Sequence, residues 1–242
     1  MFEDKVALVT GGAGGIGSGI CRVLAEAGGK IIITGRRDKD LLEGAAGALP
    51  GDGHMGASVS VKDSAGLGAL ADLVQDRYGR LDLLVNNAGI TRRVDHDDLG
   101  GLDDALIDEI FRINLRGPFA CVRAFQPLLE AGGGGVVVNI TSDAGTTYEG
   151  SNVAYVASKA GLNAMTAALA RALAPKIRVV AVAPGFVDTG FVTRDPSYIE
   201  QAASEAILKK PLMPEDIGNA VLAAATVLHQ STGCIIPVDG GR

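Results

Sequence analysis

A tyrosine and a lysine, Tyr155 and Lys159, lie four residues apart in a stretch whose composition is typical of a helix. Positions i and i+4 share one face of a helix, so a phenol and an ammonium placed there can act together. The cation favours the phenolate, and we expect it to lower the pKa of Tyr155 from about 10 towards the working pH. Ser142, at the end of an apolar run at 136–141, could hold a substrate oxygen near the phenol. These side chains predict an acid–base site for a hydroxyl or carbonyl group, rather than an ordinary solvated helix face.

A glycine-rich segment near the N-terminus supplies the context for this prediction. Residues 6–9 are apolar and predict a buried strand, and Ile16 and Ile20 begin a helical pattern. Glycines fill the turn between them. Strand, glycine turn and helix N-terminus form a phosphate site, because backbone amides point outward where side chains are absent. We therefore favour a dinucleotide-binding turn over a flexible loop.

The next strand, at residues 30–34, is followed by Gly35, Arg36 and Arg37. In dinucleotide folds an acidic residue near this point binds the ribose 2′-hydroxyl, whereas arginine accommodates a 2′-phosphate. The sequence thus predicts NADP(H) over NAD(H). The alternative is that both arginines are solvated and the cofactor is NAD(H), since residues 12–14 offer no basic side chain.

Further motifs follow in order along the chain. They are Asn86-Asn87-Ala88-Gly89, then Asn114, then Pro184-Gly185 with Thr189, and finally Val238-Asp239-Gly240-Gly241. With Thr10-Gly11-(x3)-Gly15-Ile16-Gly17 and the Ser142, Tyr155 and Lys159 set, the chain resembles the short-chain dehydrogenase/reductase family over nearly its whole length. One difference is that Ser60 stands where the family usually has an adenine-contacting aspartate, which leaves the Val61 backbone for that contact.

The resemblance implies a role for each matching residue. Tyr155 exchanges a proton with the substrate oxygen, which Ser142 orients. Lys159 lowers the Tyr155 pKa and holds the nicotinamide ribose, and Asn114 anchors a water that relays protons to Lys159. The implied cofactor-binding residues are Gly11, Gly14, Gly15, Ile16, Gly17, Arg36, Arg37, Val61, Asn87, Ala88, Gly89, Tyr155, Lys159, Pro184, Gly185, Val187 and Thr189.

The composition excludes several other classes of protein. The 242 residues suit one α/β domain, and 47% of them are apolar. A net charge of −6 argues against nucleic acid as the main partner. We expect neither a membrane span, since apolar runs of 18 residues are lacking, nor a signal peptide. Three scattered cysteines suggest reduced thiols in a cytoplasm, and the three histidines show no metal-ligand spacing, so we expect no metal site.

Alternating strand and helix patterns predict a doubly wound, Rossmann-like parallel sheet in a single domain over residues 1–242. Further strands are expected at 81–85, 176–183 and 233–238, and helices at 63–78, 103–111, 115–129, 154–173 and 214–228. In the helix over 63–78 the pattern places Leu67, Leu70, Leu73 and Val74 inward. Residues 186–213 break the alternation and resemble the family's substrate lid, with Phe186, Phe191, Tyr198, Ile199 and Leu208 as apolar members.

These observations predict a metal-independent oxidoreductase that transfers a hydride between NADP(H) and a ketone or secondary alcohol. The family resemblance is nearest to 3-oxoacyl-thioester reductases, with NAD(H)-dependent sugar, polyol or small cyclic alcohol dehydrogenases as alternatives. A non-catalytic NADP(H)-binding regulator is a further alternative, but such a protein would be expected to lose Tyr155 or Lys159. The resemblance also implies a homotetramer and a small-molecule substrate.

Overall fold

Seven parallel strands form one sheet in the computed structural model, which describes residues 2–189 and 196–241. The sheet order is β3-β2-β1-β4-β5-β6-β7. The strands are β1 (Val6–Thr10), β2 (Lys30–Gly35), β3 (Met55–Ser58), β4 (Leu83–Asn86), β5 (Gly135–Ile140), β6 (Ile177–Pro184) and β7 (Ile235–Val238). The doubly wound α/β fold expected from the sequence is confirmed.

The strand sequences explain why both faces of the sheet are covered. Every residue of β1, β4 and β5 is buried, as expected of apolar, β-branched strands with helices on both sides. The chain leaves β1 towards β2 and β3, and then returns to place β4 against the other side of β1. This reversal of strand order opens a crevice beyond the carboxyl ends of β1 and β4, where ligands bind in such sheets.

The helices connect the strands and fill the two outer layers. They are α1 (Gly15–Glu26), α2 (Lys39–Gly47), α3 (Ser64–Tyr78), α4 (Asp104–Phe111), α5 (Gly117–Ala131), α6 (Ala144–Thr147), α7 (Val153–Leu173), α8 (Pro196–Glu205) and α9 (Pro214–Thr226). Several begin at a side-chain cap: Asp63 accepts hydrogen bonds from two amides of α3, and Asn152 accepts one from Tyr155 N at the start of α7.

Two local expectations from the sequence are corrected by the structure. Leu73 is 48% exposed, so its predicted inward position is wrong, whereas Leu67, Leu70 and Val74 are buried. These three follow the i, i+3, i+7 positions of one helix face, and Leu73 falls outside that stripe. The expected break between the helices at 103–111 and 115–129 is a π-helical segment, Arg112–Arg116, that joins α4 directly to α5. The sequence pattern also missed α2 and β3 as separate elements.

The region expected to form a lid contains α8, and Phe186 and Val187 precede it at the edge of the sheet. Phe191 and the side chains of Tyr198 and Ile199 lie outside the described residues, while Leu208 is exposed. Within the described part of the chain, every helix is too short or too polar to cross a membrane.

Candidate active site

A cavity of about 1180 Å³ opens at the carboxyl edge of the sheet, in the crevice beside β1 and β4. It runs from the glycine turn and the two arginines after β2 to Ser142 and the first turns of α7. Most of the sequence-predicted site residues line it: Gly11, Gly14, Gly15, Ile16, Arg36, Arg37, Val61, Asn87, Ala88, Gly89, Ser142, Tyr155, Lys159, Pro184, Gly185, Val187 and Thr189. Gly17 and Asn114 do not line the cavity and lie in the layer behind it.

The glycine turn presents the N-terminus of α1 to this cavity. The N-cap residue, Gly14, has no side chain, so the first amides of the helix face the cavity without a side-chain acceptor of their own. Gly17 is required for a different reason. A Cβ at this position would lie 2.3 Å from Gly11 O and 2.7 Å from Asn87 Nδ2, so only glycine allows the helix to pack this closely against the turn and the segment after β4.

The segment after β4 is held to the glycine turn by one threonine. Thr10 Oγ1 accepts hydrogen bonds from Asn87 N and Ala88 N, each at 3.0 Å. Asn87 Nδ2 donates to Thr10 O at 2.9 Å. These bonds hold together the segments that follow β1 and β4, and thus position the cavity wall that Ala88 and Gly89 form.

Arg36 and Arg37 lie at the far end of the cavity from α7. Both side chains are exposed, and the guanidinium of Arg37 extends towards the glycine turn, since a Cβ on Gly14 would lie 3.7 Å from Arg37 Nη2. Gly35 leaves the space before them open, since a Cβ placed there would lie no closer than 3.9 Å to Leu42, its nearest described neighbour outside the adjoining residues. Val61 and Ser60 complete this wall, while Asp63 caps α3 instead of lining the cavity.

Lys159 and Tyr155 meet at the opposite end, on the first two turns of α7. Lys159 Nζ lies 5.7 Å from the centre of the Tyr155 ring and donates to Ile140 O at 2.8 Å. Burial lowers the pKa of Lys159 to about 8, since the surrounding protein disfavours its charge. The i, i+4 spacing therefore brings the two groups together as predicted.

The electrostatic consequence differs from the sequence-based expectation. Burial raises the pKa of Tyr155 to about 12, the nearby Ser142 hydroxyl lowers it, and the carboxylate of Asp143 raises it. The expectation that Lys159 brings this pKa towards neutrality is therefore wrong. Desolvation of the phenolate is the largest cause of the Tyr155 shift, and burial also disfavours the charge of the Lys159 ammonium that was expected to stabilise the phenolate.

Asn114 lies behind the cavity in the π-helical segment and is 1% exposed. Its Oδ1 accepts from Ile90 N at 2.9 Å, and its Nδ2 donates to Ile90 O at 3.0 Å and to Ser158 Oγ at 3.2 Å. A Cβ on Gly89 would lie 3.4 Å from Asn114 Oδ1 and 3.9 Å from Lys159 Nζ, so the two side chains approach each other across this glycine. The expected water relay through Asn114 stays a prediction.

Asn152 ties the loop after β4 to the start of α7. Its Oδ1 accepts from Tyr155 N at 2.7 Å, and its Nδ2 donates to Arg92 O at 2.7 Å and to Thr91 Oγ1 at 3.2 Å. The side chain is only 1% exposed. Sequence reasoning missed this residue, although an asparagine just before a predicted helix is an N-cap signal.

Several further residues that the sequence analysis did not assign to the site also line the cavity. Asp143 follows Ser142 directly and accepts a hydrogen bond from its hydroxyl at 2.9 Å. The outer wall near α7 is formed by the loop after β4 and the loop before α7, with Ile90, Arg93, Val94, His96 and Glu149, together with Phe186 after β6. His96 Nε2 lies 3.0 Å from Gly150 O, which bridges these loops. This end of the cavity therefore mixes apolar and charged groups.

The residues present fit a dinucleotide. The side-chain-free N-terminus of α1 suits a diphosphate, the arginines suit a further phosphate, and the cavity is large enough for a dinucleotide together with a small substrate. Among residues 2–189 and 196–241, no three His, Cys, Asp or Glu side chains converge. This part of the chain therefore has no comparable site for a metal ion.

Comparison with known proteins agrees with this geometry. A model of the short chain dehydrogenase family matches residues 5–198. The chain is a short-chain dehydrogenase/reductase. Members of this family are oxidoreductases that use NAD(P)(H) and act on CH–OH or keto groups, and this protein is such an enzyme.

Three relatives span almost the whole chain. A Streptomyces violaceoruber protein named as a ketoacyl reductase of the granaticin polyketide synthase is 37% identical, with 99% of this chain and 96% of the relative covered. A 3alpha-hydroxysteroid dehydrogenase of Mediterraneibacter gnavus is 34% identical, with 99% and 97% covered. The solved structure of a 3-ketoacyl-(acyl-carrier-protein) reductase of Brucella melitensis, complexed with NADH, has a TM-score of 0.90 at 29% identity, with 100% of this chain and 99% of that chain covered.

Proposed function

We propose that the protein transfers a hydride between NADP(H) and a ketone or secondary alcohol, without a metal, and that Tyr155 is the general acid and base. The observation that carries this proposal is one continuous cavity with Arg36 and Arg37 at one end and Ser142, Tyr155 and Lys159 at the other. A nicotinamide dinucleotide held along that cavity supplies or accepts the hydride.

The chain's own residues then handle binding and the proton. The N-terminal amides of α1 and the wall formed by Asn87, Ala88 and Gly89 bind the cofactor along its length. In carbonyl reduction, Tyr155 Oη donates its proton to the substrate oxygen as the hydride reaches the carbonyl carbon, which gives the alcohol and a phenolate. The ammonium of Lys159 stabilises that phenolate, and alcohol oxidation runs the same steps in reverse.

The raised pKa of Tyr155 suits the reducing direction. At neutral pH the phenol is protonated, which is the form that can donate to a carbonyl oxygen. Oxidation requires the phenolate, so its rate should rise with pH as this group loses its proton. Ser142 lies beside the phenol and contacts the same substrate oxygen in this proposal.

The preference for NADP(H) rests on the position of the two arginines. Each guanidinium lines the end of the cavity next to β2, where a ribose 2′-phosphate would meet a planar, bidentate donor. NAD(H) is the second candidate, since the Brucella melitensis relative is complexed with NADH. Under that alternative the substrate would be a sugar, polyol or small cyclic alcohol.

The substrate class follows from the named relatives and the outer wall. The relatives are named as a ketoacyl reductase and a hydroxysteroid dehydrogenase, and Ile90, Val94 and Phe186 provide apolar contacts in this cavity. A screen of 3-oxoacyl thioesters, steroids, cyclic ketones and sugars with both cofactors would rank these classes.

We further propose a homotetramer in the cytoplasm. Ala157 and Ala164 are exposed on α7, and Ile235 is exposed on the edge strand β7, so both surfaces could accept a second copy. Cys21, Cys121 and Cys234 are unpaired thiols, which suits a reducing compartment.

Replacement of Tyr155 tests the central claim. Tyr155→Phe keeps the ring and its packing but removes the proton donor, so kcat should fall about 10²–10⁴-fold while NADPH affinity stays nearly unchanged. Steady-state kinetics and cofactor fluorescence titration measure the two quantities. Turnover by the variant comparable to that of the unmodified protein would exclude Tyr155 as the acid. If no substrate is turned over although NADPH binds, a non-catalytic cofactor-binding protein is indicated.

A further inference from the structure

Asp143 is a carboxylate next to the proposed catalytic serine, at the point where the chain leaves β5 and begins α6. Its Oδ1 accepts the hydroxyl hydrogen of Ser142 at 2.9 Å and the amide hydrogen of Ala144 at 2.7 Å. Ala144 N also lies 3.2 Å from Ser142 Oγ. Asp143 is half-buried and lines the cavity together with Ser142 and Tyr155. A formal negative charge therefore lies within the reaction end of the cavity.

The hydrogen bond determines what Ser142 can offer a substrate. A carboxylate holds a hydroxyl hydrogen more strongly than a neutral acceptor does. While its hydrogen is directed at Asp143, Ser142 Oγ cannot donate to the Tyr155 oxygen, which is the contact by which the Ser142 hydroxyl lowers the pKa of Tyr155. The serine can donate to a carbonyl oxygen only if its hydrogen leaves Asp143.

The charge also acts on the proposed general acid. An anion close to a phenol opposes formation of the phenolate, and the Asp143 carboxylate raises the pKa of Tyr155 in addition to burial. Lys159 on α7 supplies a cation close to the phenol ring, with its Nζ 5.7 Å from the ring centre. The other charged or titratable side chains that line this end of the cavity are Arg93, Asp95, His96 and Glu149, all of them exposed and therefore screened by water.

We propose that Asp143 is a positioning residue of the active site, which sets the direction of the Ser142 hydroxyl and the protonation of Tyr155. This inference rests on the function proposed above. The rate of alcohol oxidation should rise with pH and the rate of carbonyl reduction should fall. The Asp143 carboxylate moves both of these changes in rate to higher pH. An uncharged residue at this position would move both limbs of the pH profile to lower pH.

Asp143→Asn separates the charge from the hydrogen bonds, because the amide oxygen can still accept from Ser142 and Ala144. Glu149→Gln is the matched control, since it removes one negative charge from an exposed side chain of the same cavity. In protein labelled with [¹³Cζ]tyrosine, the Tyr155 resonance, assigned with Tyr155→Phe, is followed by NMR to about pH 11. We expect its titration to begin about one pH unit lower in Asp143→Asn than in the unmodified protein. Glu149→Gln should give a much smaller shift.

Kinetics provide the second readout. The rising limb of kcat/KM for oxidation of an alcohol should move to lower pH in Asp143→Asn and stay in place in Glu149→Gln. An unchanged resonance of Tyr78, whose hydroxyl donates to Gly53 O, establishes that the variant is folded. Equal Tyr155 titrations in Asp143→Asn and the unmodified protein, or equal shifts in both variants, would overturn the proposal. The NMR titration needs no substrate, so it decides the role of Asp143 even if no alcohol or ketone is turned over and the proposed function fails.

Discussion

Individual side chains in this site have properties that their spacing in the sequence does not predict. Tyr155 and Lys159 share a helix face, yet burial disfavours the charged form of each side chain. It raises the pKa of the phenol to about 12 and lowers the pKa of the ammonium to about 8. Both shifts come from the protein that surrounds the pair. In the proposed reaction the phenol is therefore poised as a proton donor, and the lysine stabilises the phenolate that forms.

Arg36 carries the prediction on cofactor choice. Arg36→Ala should weaken NADPH binding about tenfold to a hundredfold, since hydrogen bonds to charged groups contribute about 1.5–3 kcal/mol. NADH binding should change little. Fluorescence titration with both cofactors measures the two affinities.

Arg22→Ala is a control that removes an exposed arginine paired with Glu215, away from the cavity lining. It should leave both affinities unchanged. A similar loss of NADH and NADPH affinity in Arg36→Ala, or a preference of the unmodified protein for NADH, would favour the NAD(H) alternative.

At the scale of the elements, the cap of α7 does more than begin a helix. Asn152 satisfies Tyr155 N and also fixes the loop after β4 through Arg92 O and Thr91 Oγ1. The same side chain thus sets where the helix starts and where the outer wall of the cavity lies. The π-helical segment at Arg112–Arg116 has a comparable role, because it directs Asn114 towards Ile90 and Ser158.

Asn152→Ala should lower the free energy of unfolding by about 0.5–2 kcal/mol and also lower kcat, since it removes both the cap and the tie to the loop. Asn152→Ser should recover most of the stability, because a serine can cap the helix, but not kcat. Urea denaturation and steady-state kinetics measure the two effects.

Asp63→Ala serves as the control. It removes the N-cap of α3, and Asp63 does not line the cavity. We expect a similar loss of stability without the loss of kcat. Full recovery of kcat in Asn152→Ser would show that the tie to the loop is irrelevant to turnover.

At the scale of the whole molecule, the sheet ends in an exposed edge. β7 pairs only with β6 among the described strands, and Ile235 on it is 38% exposed. An uncovered strand edge with apolar side chains is a surface that proteins usually cover or charge. A second copy of the chain would cover it in the proposed homotetramer.

Light scattering after gel filtration should therefore give about four times the chain mass of 24.7 kDa. Ile235→Lys should reduce that mass, because it would bury a charge in an apolar contact. Leu41→Lys, on an exposed position of α2, should leave it unchanged. A monomeric unmodified protein, or an unchanged assembly in Ile235→Lys, would contradict the predicted interface.

Much of the architecture could be predicted because it depends on local patterns. Apolar runs such as residues 6–9 and 136–140 become buried strands, and the glycine turn between strand and helix needs the absence of side chains at Gly11 and Gly17. Thr10, Asn86 and Ser142 lie at or just after the ends of β1, β4 and β5, which are neighbours in the sheet. Since parallel strands end at one edge of the sheet, the convergence of these residues was also predictable. The exposure of Leu73 and the elements α2 and β3 could not be predicted from the sequence, because tertiary packing decides the structure of segments with short or mixed patterns.

The amino-acid sequence by itself determined the doubly wound type of sheet, the position of the cavity at its edge and many of the residues that line it. Only the tertiary structure decided how those residues behave. The hydrogen bonds of Asn114 and Asn152 and the bridge between the two outer loops all join segments far apart in the chain. The physical reason is that strand, helix and turn formation depend on neighbours in sequence, whereas desolvation and hydrogen-bond partners depend on neighbours in space.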